Sequence, residues 1–562
     1  MRNMRILILL SFLVLPLFAT AQVVAPPAAL DTSKIQGEMP KLEIPEITIV
    51  GKKAITLPFA RKGEIFDVDV YEAPPPDSSI LLTRPILPLP VGQYNKYEER
   101  INVWRVAVDG SLGSFSTAGG NGYVNYKSEQ WDFYGSGGFL ATGGRSIDNF
   151  FAAHPPTMNA SANNVHGEFD IRTLLPTDND FLKTLRFFVA SKFFGEQYNY
   201  FGIDGVESNR VRQNSFLTGG FGSVNRQGTV LDFNLSVNNW NINDARTSLP
   251  DSQVSLISPK IQTTLATDFG RFRFVTDLEY ASSSLNYQHP TQSPTSLNWF
   301  SGLRWQVLDR WFLQAGGYYG YGTASDGGSK TILMPSAVMN WDIDAAREFT
   351  VWWKPELQLQ SYAQLTLDNP YLDRELVLRP IRTPVNIGAS FWFNEPYMVF
   401  EVQGSLKQSS NRPVTLSDHG RMTIAYLDAV ESIVEFKGSL LPFKLMTLKY
   451  SGKINRAVPK DGDTQFPMTP LVTLHGTGEF GLTLPVKIYF SGDYTSPRNI
   501  DLNGAKQLTS TLLFGTGVST TVIPNAVLSL DIANILNTSY YLWDGYPAPG
   551  IDLSIGLKYK IQ

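Results

Sequence analysis

Apolar and polar side chains alternate along many short segments of this chain. In residues 551–561 the apolar side chains take the odd positions, and polar or small ones take the even positions. Successive side chains of a β-strand point to opposite sides, so this pattern predicts a strand with one apolar and one polar face. The pattern recurs at 165–172, 231–237, 297–307, 349–360, 385–393, 398–407 and 486–494. From about residue 101 onward the sequence therefore predicts an all-β fold.

The connections between these segments alternate between short and long. The short ones have the composition of tight turns, as at 307–310, 393–396, 483–485 and 523–525. The long ones are polar and rich in Gly, Pro, Asn and Ser, and they occur at 109–121, 142–164, 195–212, 239–253, 283–296, 322–330, 365–384, 408–420, 455–470, 495–507 and 534–550. Short turns at one end and long loops at the other are typical of outer-membrane barrels, whereas a soluble sandwich does not separate its loops in this way.

The number of long loops gives the number of strands. About eleven long loops predict a transmembrane antiparallel β-barrel of about 22 strands, and about 16–20 strands is the alternative. After the N-terminal 21 residues, no apolar run approaches the length of about 18 residues that a membrane-spanning helix needs. A membrane-spanning structure must therefore be built from strands.

The last predicted strand is interpreted as the one that closes the barrel. Its residues Leu553, Ile555, Leu557 and Tyr559 would face lipid. The strand would pair with a first strand near residues 102–108, because an unpaired edge has no hydrogen-bond partner in hydrocarbon.

The N-terminal part of the chain has a different composition. Residues 1–21 combine a basic start, an apolar run and a small-residue cleavage site, which predicts a signal peptide. Residues 22–100 are rich in proline, which lacks the N–H group of a sheet interior and favours extended backbone. They are predicted to form an extended periplasmic arm that either stays in the periplasm or reaches into the lumen of the barrel. The barrel itself is predicted to span residues 101–562.

Composition narrows the functional classes. The chain has no cysteine, its 47 basic and 51 acidic residues nearly balance, and no basic block suggests nucleic-acid binding. Charged residues make up 17% and aromatic residues 12%, which suits a chain with one face in lipid. The five histidines are scattered and no catalytic or nucleotide-binding motif stands in a suitable context, so no enzyme activity, metal or cofactor is expected. Among the histidines, His154 and His289 are the weak candidates for a catalytic role at the rim.

The C-terminal segment 531–550, followed by the last strand, resembles the end of TonB-dependent outer-membrane receptors. The shared features are the Asn-Ile-Leu-Asn turn ending at Asn537, a Tyr-rich loop ending in Pro549-Gly550, and an amphipathic final strand. Near the N-terminus, the extended motif Glu46, Ile47, Thr48, Ile49 and Val50 is similar to the segment with which these receptors add a strand to a periplasmic energy-coupling protein. An ordinary piece of extended arm is the alternative interpretation of that motif. No counterpart of the globular plug domain of the family is expected, since only about 50 residues separate Gly51 from the first strand.

The resemblance implies a barrel in the bacterial outer membrane that mediates solute uptake, with the plug supplied by the arm or by a partner. The implied partners are outer-membrane lipid, the barrel-assembly machinery, and a TonB-like or plug-like periplasmic protein. The alternative is a barrel platform that binds a protein partner for assembly or attachment. The loop aromatics Tyr540, Tyr541, Trp543 and Tyr546 are interpreted mainly as packing residues, with ligand stacking as the alternative.

Overall fold

The computed structural model describes residues 106–128, 131–147, 158–176, 184–200, 208–224, 229–246, 252–286, 293–308, 310–373, 376–418, 421–443, 445–481 and 485–561. The predicted signal peptide, the arm, the docking strand 46–50, His154 and His289 all lie outside the described residues.

The chain alternates between strands and connections throughout the described part. The first half contains β1 (Val106–Gly113), β2 (Thr117–Lys127), β3 (Trp131–Ile147), β4 (Met158–Pro176), β5 (Thr184–Tyr200), β6 (Ser208–Val224), β7 (Val230–Arg246), β8 (Ser252–Phe269), β9 (Phe272–Ser282), β10 (Ser284–Asn286), β11 (Thr295–Leu308), β12 (Trp311–Thr323) and β13 (Ser329–Asp342). The second half contains β14 (Arg347–Trp353), β15 (Glu356–Leu359), the helix α1 (Tyr362–Asp368), β16 (Pro380–Glu395), β17 (Met398–Asp418), β18 (Arg421–Phe443), β19 (Met446–Pro459), β20 (Val472–Gly481), β21 (Val486–Thr495), β22 (Arg498–Asn499), β23 (Gln507–Leu508), β24 (Thr511–Ile523), β25 (Ala526–Ala533), β26 (Tyr541–Trp543), β27 (Tyr546–Pro547) and β28 (Asp552–Ile561).

These strands form one closed antiparallel barrel of 22 strands. The sheet has 24 segments, but β9 and β10 both pair with β8, and β14 and β15 both pair with β16, so each of these two pairs forms one barrel strand. β28 pairs with β25 on one side and with β1 on the other, in a register that runs from Val106 opposite Ile561 to Gly113 opposite Ser554. The predicted fold class and strand number are confirmed.

The two faces of the barrel wall differ in chemistry. The outer face exposes large apolar side chains along nearly every strand, among them Leu553, Ile555, Leu557 and Tyr559 of β28. The alternate residues of the same strand, Asp552 and Ser554, are buried on the inner face. This apolar exterior around a closed barrel is that of a bacterial outer-membrane protein. Among the described residues, no helix has the length and apolarity needed to cross a membrane.

We expect the substitution Leu557→Arg to destabilise the barrel by about 2–4 kcal/mol, because it places a cation at mid-strand on the lipid face. Leu557 is 53% exposed and lies opposite Gly110 of β1 and Leu528 of β25. The measurement is the urea midpoint of unfolding in lipid vesicles. The matched control is Ser405→Arg on the inner face of β17, where the added cation meets the lumen and the expected change is small. Equal effects of the two substitutions would contradict the assignment of the faces.

Several strands are longer than the bilayer requires. About 9–11 residues cross a membrane, whereas β17 and β18 have 21 and 23 residues and are register partners out to Asp418 and Arg421. The interpretation of five segments as long loops is therefore wrong, since β1–β8 and β17 occupy most of each: 109–121, 142–164, 195–212, 239–253 and 408–420. Beyond the membrane both strand faces meet water or other protein, so polar residues there do not interrupt backbone pairing.

The connections fall into two groups at opposite ends of the barrel. The start of β1, the end of β28 and tight turns such as 270–271, 396–397 and 524–525 lie at one end. The longer connections, including 360–379, 460–471, 496–510 and 534–551, lie at the other end. In bacterial barrels the short turns face the periplasm, so the long-loop end is the outer mouth.

Candidate functional site

The inner wall of the barrel is polar, and its charges are paired across neighbouring strands. Lys192 lies 3.5 Å from Glu168, Lys487 lies 2.9 Å from Glu479, and Arg412 lies 2.8 Å from Glu431. An ion-selective lining would present charges of a single sign. Here acidic and basic side chains are paired, so the wall presents no such excess.

The connection between β15 and β16 folds inward at the outer mouth, and we call its described residues 361–373 and 376–378 the mouth loop. It contains the helix α1, which begins after Ser361, whose side-chain oxygen accepts a hydrogen bond from the N–H of Gln364 at 3.1 Å. This N-cap satisfies one of the free N–H groups of the first turn.

The mouth loop packs on the inner wall of strands β5, β7 and β8. The wall contributes Trp240, Ile242 and Leu256, each with no exposed surface. The buried apolar residues of the whole cluster are Tyr198, Trp240, Ile242, Leu256, Tyr362, Ala363, Leu365, Tyr371, Leu372, Leu378, Met422 and Tyr546. Burying side chains of this size stabilises the contact by about 1.5–3 kcal/mol each relative to exposure. The loop is therefore held inside the mouth as a packed element.

Two buried arginines of β6 bind the backbone of the mouth loop. Arg210 donates to the carbonyl oxygens of Pro370 and Leu372, both at 2.8 Å. Arg212 donates from Nη1 to the carbonyl of Thr366 at 2.5 Å, and its Nε donates to Glu196 Oε2 at 3.0 Å. Because both arginines are fully buried, their hydrogen bonds compensate the cost of removing the charges from water.

Further contacts join the mouth loop to the far rim. The ring of Tyr371 stacks on that of Tyr546, with centroids 3.6 Å apart, and the N–H of Asp373 donates to the carbonyl of Met422 at 2.7 Å. The loop thus contacts β5–β8, the start of β18 and the connection before β28, which lie at different positions around the barrel.

The base of the mouth loop is fixed to the connection 324–328. Ser325 and Leu378 exchange two hydrogen bonds of 2.9 Å, and Arg379 lies 2.7 Å from Asp326. Partial burial acts to raise the pKa of Asp326, but the N–H of Gly328 and the Arg379 guanidinium outweigh it and lower the pKa below its usual value. A carboxyl with a lowered pKa keeps its pairing at neutral pH and loses it only as the pH falls through that lowered value.

A second feature of the lumen is an open cleft of about 470 Å³ between the wall of β17–β24 and the segment 540–542. Arg498 supports this segment by donating to the carbonyl oxygens of Tyr541 at 2.8 Å and Leu542 at 2.9 Å. Among the described residues, no three His, Asp or Glu side chains converge as metal ligands in the cleft or elsewhere.

The residues singled out in the sequence occupy separate places in the structure. The four apolar residues of β28 stand on the outer wall beside β1, while Tyr546 is buried in the cluster of the mouth loop. Tyr540 lines the cleft. Sequence reasoning missed Arg210, Arg212 and Glu196, which fall in a segment interpreted as a polar loop but belong to β5 and β6.

Comparison with solved structures supports the barrel fold. The FrpB iron transporter from Neisseria meningitidis matches with a TM-score of 0.62 and 12% identity, covering 82% of each chain. A variant of the ferric enterobactin receptor from Pseudomonas aeruginosa matches with a TM-score of 0.61 and 10% identity, covering 81% of this chain and 80% of that one. The ferric yersiniabactin uptake receptor FyuA from Yersinia pestis matches with a TM-score of 0.59 and 11% identity, covering 82% and 80%. No protein-family model and no curated protein matches the sequence.

The fold is therefore the 22-strand barrel of outer-membrane receptors and transporters. The resemblance to TonB-dependent receptors seen at the C-terminus is confirmed at the level of this barrel fold.

Proposed function

We propose that this protein mediates the passage of a solute across the outer membrane, with the lumen of the barrel as the route. The observation that carries the proposal is the closed 22-strand barrel with an apolar exterior and a polar lumen. The solved structures with this barrel include an iron transporter and a ferric yersiniabactin uptake receptor. A polar inner wall lowers the free-energy cost of moving a hydrated solute through the membrane.

The lumen of a barrel of this size must be filled for the membrane to remain tight. The mouth loop covers the outer mouth on the side of β5–β8. We propose that residues 22–100, or a separate plug-like protein, fill the remaining lumen from the periplasmic side. In the same proposal Glu46–Val50 offers an extended strand to a TonB-like protein, since strand addition depends mainly on main-chain hydrogen bonds.

Planar-bilayer conductance tests this proposal. We expect the mature chain to show little steady current and the chain without residues 22–95 to show large steady current, because deletion removes the plug. Steady current from the mature chain would assign the plug to a separate protein. A truncated barrel that stays silent, even after the mouth loop is also removed, would contradict a route through the lumen.

A second candidate function is a platform for a protein partner, and the length of β17 and β18 favours it. Their paired ends extend well beyond the length that crosses a bilayer and form a hairpin at the outer mouth. Shortening this hairpin by residues 413–426 is expected to abolish partner binding in the platform function. In the transport function the same change does not lower solute flux in vesicles. Flux stays at the parent value or rises, because the excision also removes Met422, which contacts the mouth loop.

A further inference from the structure

Two adjacent rows of inward-facing side chains form the wall of the cleft below the segment 540–542. Each row follows register partners from one strand to the next between β17 and β24. The first row is Glu401, Lys437, Ser451, His475, Asp493 and Leu513, and the second is Gln403, Glu435, Lys453, Thr473, Thr495 and Thr511. All twelve line the cleft.

The charges of the cleft cancel. Lys437 lies 2.9 Å from Glu401, Lys453 lies 2.7 Å from Glu435, and His475 Nδ1 donates to Asp493 Oδ1 at 2.7 Å. With Arg498 the lining holds three carboxylates and three permanent cations. A site for an anion or a cation would keep an excess of one sign, so this lining favours a ligand with no net charge.

Hydroxyl groups supply the remaining polarity. Within the described part of the chain, the side-chain oxygens of Thr473, Thr495 and Thr511 make no hydrogen bond to another protein group. A hydroxyl both donates and accepts, whereas the neighbouring carboxylates only accept and the ammonium groups only donate. The wall therefore offers every kind of hydrogen-bond partner within a short distance, which matches a ligand that itself carries many hydroxyls.

The opposite side of the cleft is less polar. Tyr540 and Leu542 line it, and the hydrogen bonds from Arg498 hold this segment in place. An aromatic residue on the side opposite a polar wall suits a ring-shaped ligand with an apolar face and polar edges. The cleft volume of about 470 Å³ falls within the range of roughly 300–1,000 Å³ of pockets that hold small molecules.

We infer that this cleft binds a neutral, hydroxyl-rich solute of the chemical class of short oligosaccharides. The hydroxyls of Thr473 and Thr495 and the paired acids and bases bind the hydroxyl groups of the sugar. Tyr540 packs against the C–H face of a sugar ring. This inference names the chemical class of the solute in the proposed transport function. Only the physiological role of the cleft rests on that function, because sugar binding can be measured without transport.

The test uses the full-length mature protein, purified in a detergent without a sugar head group. The probes are an array of neutral oligosaccharides of two to four sugar units, with triglycine and citrate as a zwitterionic and an anionic comparison. Affinities of the best ligand are then measured by calorimetry. The double variant Thr473→Val/Thr495→Val removes two hydroxyls and keeps the β-branched shape. We expect it to bind at least about tenfold more weakly, since two hydrogen bonds are lost.

The matched control is Thr477→Val, which removes a hydroxyl from the inner face of the same strand, outside the cleft. It is expected to bind like the parent protein. Heat-modified mobility on gels verifies that all variants are folded barrels. The inference is overturned if no neutral oligosaccharide binds, if the double variant binds as tightly as the parent, or if triglycine or citrate binds better. Conductance of the truncated barrel is unaffected by these outcomes, so failure of the binding site and failure of the transport function are distinguishable.

Discussion

Replacing Arg212 by alanine is expected to release the mouth loop from the inner wall. The substitution leaves the carboxylate of Glu196 buried without its cation and removes the donor to the carbonyl of Thr366. Loss of one partner of a buried ion pair costs about 3–5 kcal/mol. Since about 1.4 kcal/mol is a factor of ten, the open fraction of the loop should increase by about two to three and a half powers of ten.

The measurement is the rate at which a cysteine in the mouth loop reacts with a water-soluble maleimide. The chain has no cysteine of its own, so Thr366→Cys gives a single reporter at a fully buried position of similar size. The reporter should react slowly in the parent chain and far faster when Arg212→Ala is added. The double variant Glu196→Gln/Arg212→Met, which removes both charges, should restore most of the protection.

The control is Arg172→Ala, which removes an ion pair with Asp170 at 3.2 Å on the inner face of β4. Because this pair lies toward the periplasmic end of β4, where Arg172 is opposite Asp132 of β3 and Phe188 of β5, the labelling rate should stay at the parent value. An unchanged rate in Arg212→Ala would show that the arginine does not hold the loop in place.

Excising the mouth loop is expected to enlarge the opening at the outer mouth. Leu359 and Pro380 are register partners at the ends of β15 and β16, so the two strands can be joined by a four-residue turn of Gln360-Asn-Gly-Arg379. In the chain without residues 22–95, this change should raise the single-channel conductance severalfold, since the loop no longer covers part of the lumen.

A second excision controls for the general effect of shortening a loop. Residues 501–505 form the exposed tip of the β22–β23 hairpin, where Asn499 pairs with Gln507. Replacing this tip by Asn-Gly should leave the conductance unchanged. If both excisions changed the conductance equally, the mouth loop would not be the constriction at the outer mouth.

The barrel itself was predictable from short-range patterns. The alternation of apolar and polar residues along each strand indicates which face contacts lipid. The number of long polar segments between the strands gives the number of hairpins. These signals need no knowledge of distant contacts, which is why the strand number agrees with the structure. The lengths of the strands were not predictable in this way. The alternation of apolar and polar residues ends at the membrane boundary, but the backbone pairing continues beyond it, as in β17 and β18.

The mouth loop depends on contacts between residues far apart in sequence. Arg210 and Pro370 are 160 positions apart, and Tyr198 and Pro370 are 172 apart. One local signal was nevertheless present. Along β7 the apolar residues change from odd positions, ending at Val237, to even positions at Trp240 and Ile242. That change marks the point where the strand leaves the bilayer and its inner face becomes covered by protein.

The cleft could not be found from the sequence for a related reason. Its two rows run across six strands, so neighbours such as Thr473 and Thr495 are brought together only by the register between paired strands. Each residue alone is an ordinary inward-facing polar side chain. The row becomes visible only when the pairing of every strand with the next is known.

The contact between the mouth loop and the wall of β5–β8 also has a mechanical meaning. A hollow cylinder made of one sheet flattens easily, because its hydrogen bonds survive when the cross-section becomes oval. Here a segment rooted between β15 and β16 crosses the hollow and is bonded through Arg210 and Arg212 to β6. It acts as a transverse brace, so the part of the cylinder that stands above the membrane can be flattened at this height only by breaking buried polar contacts.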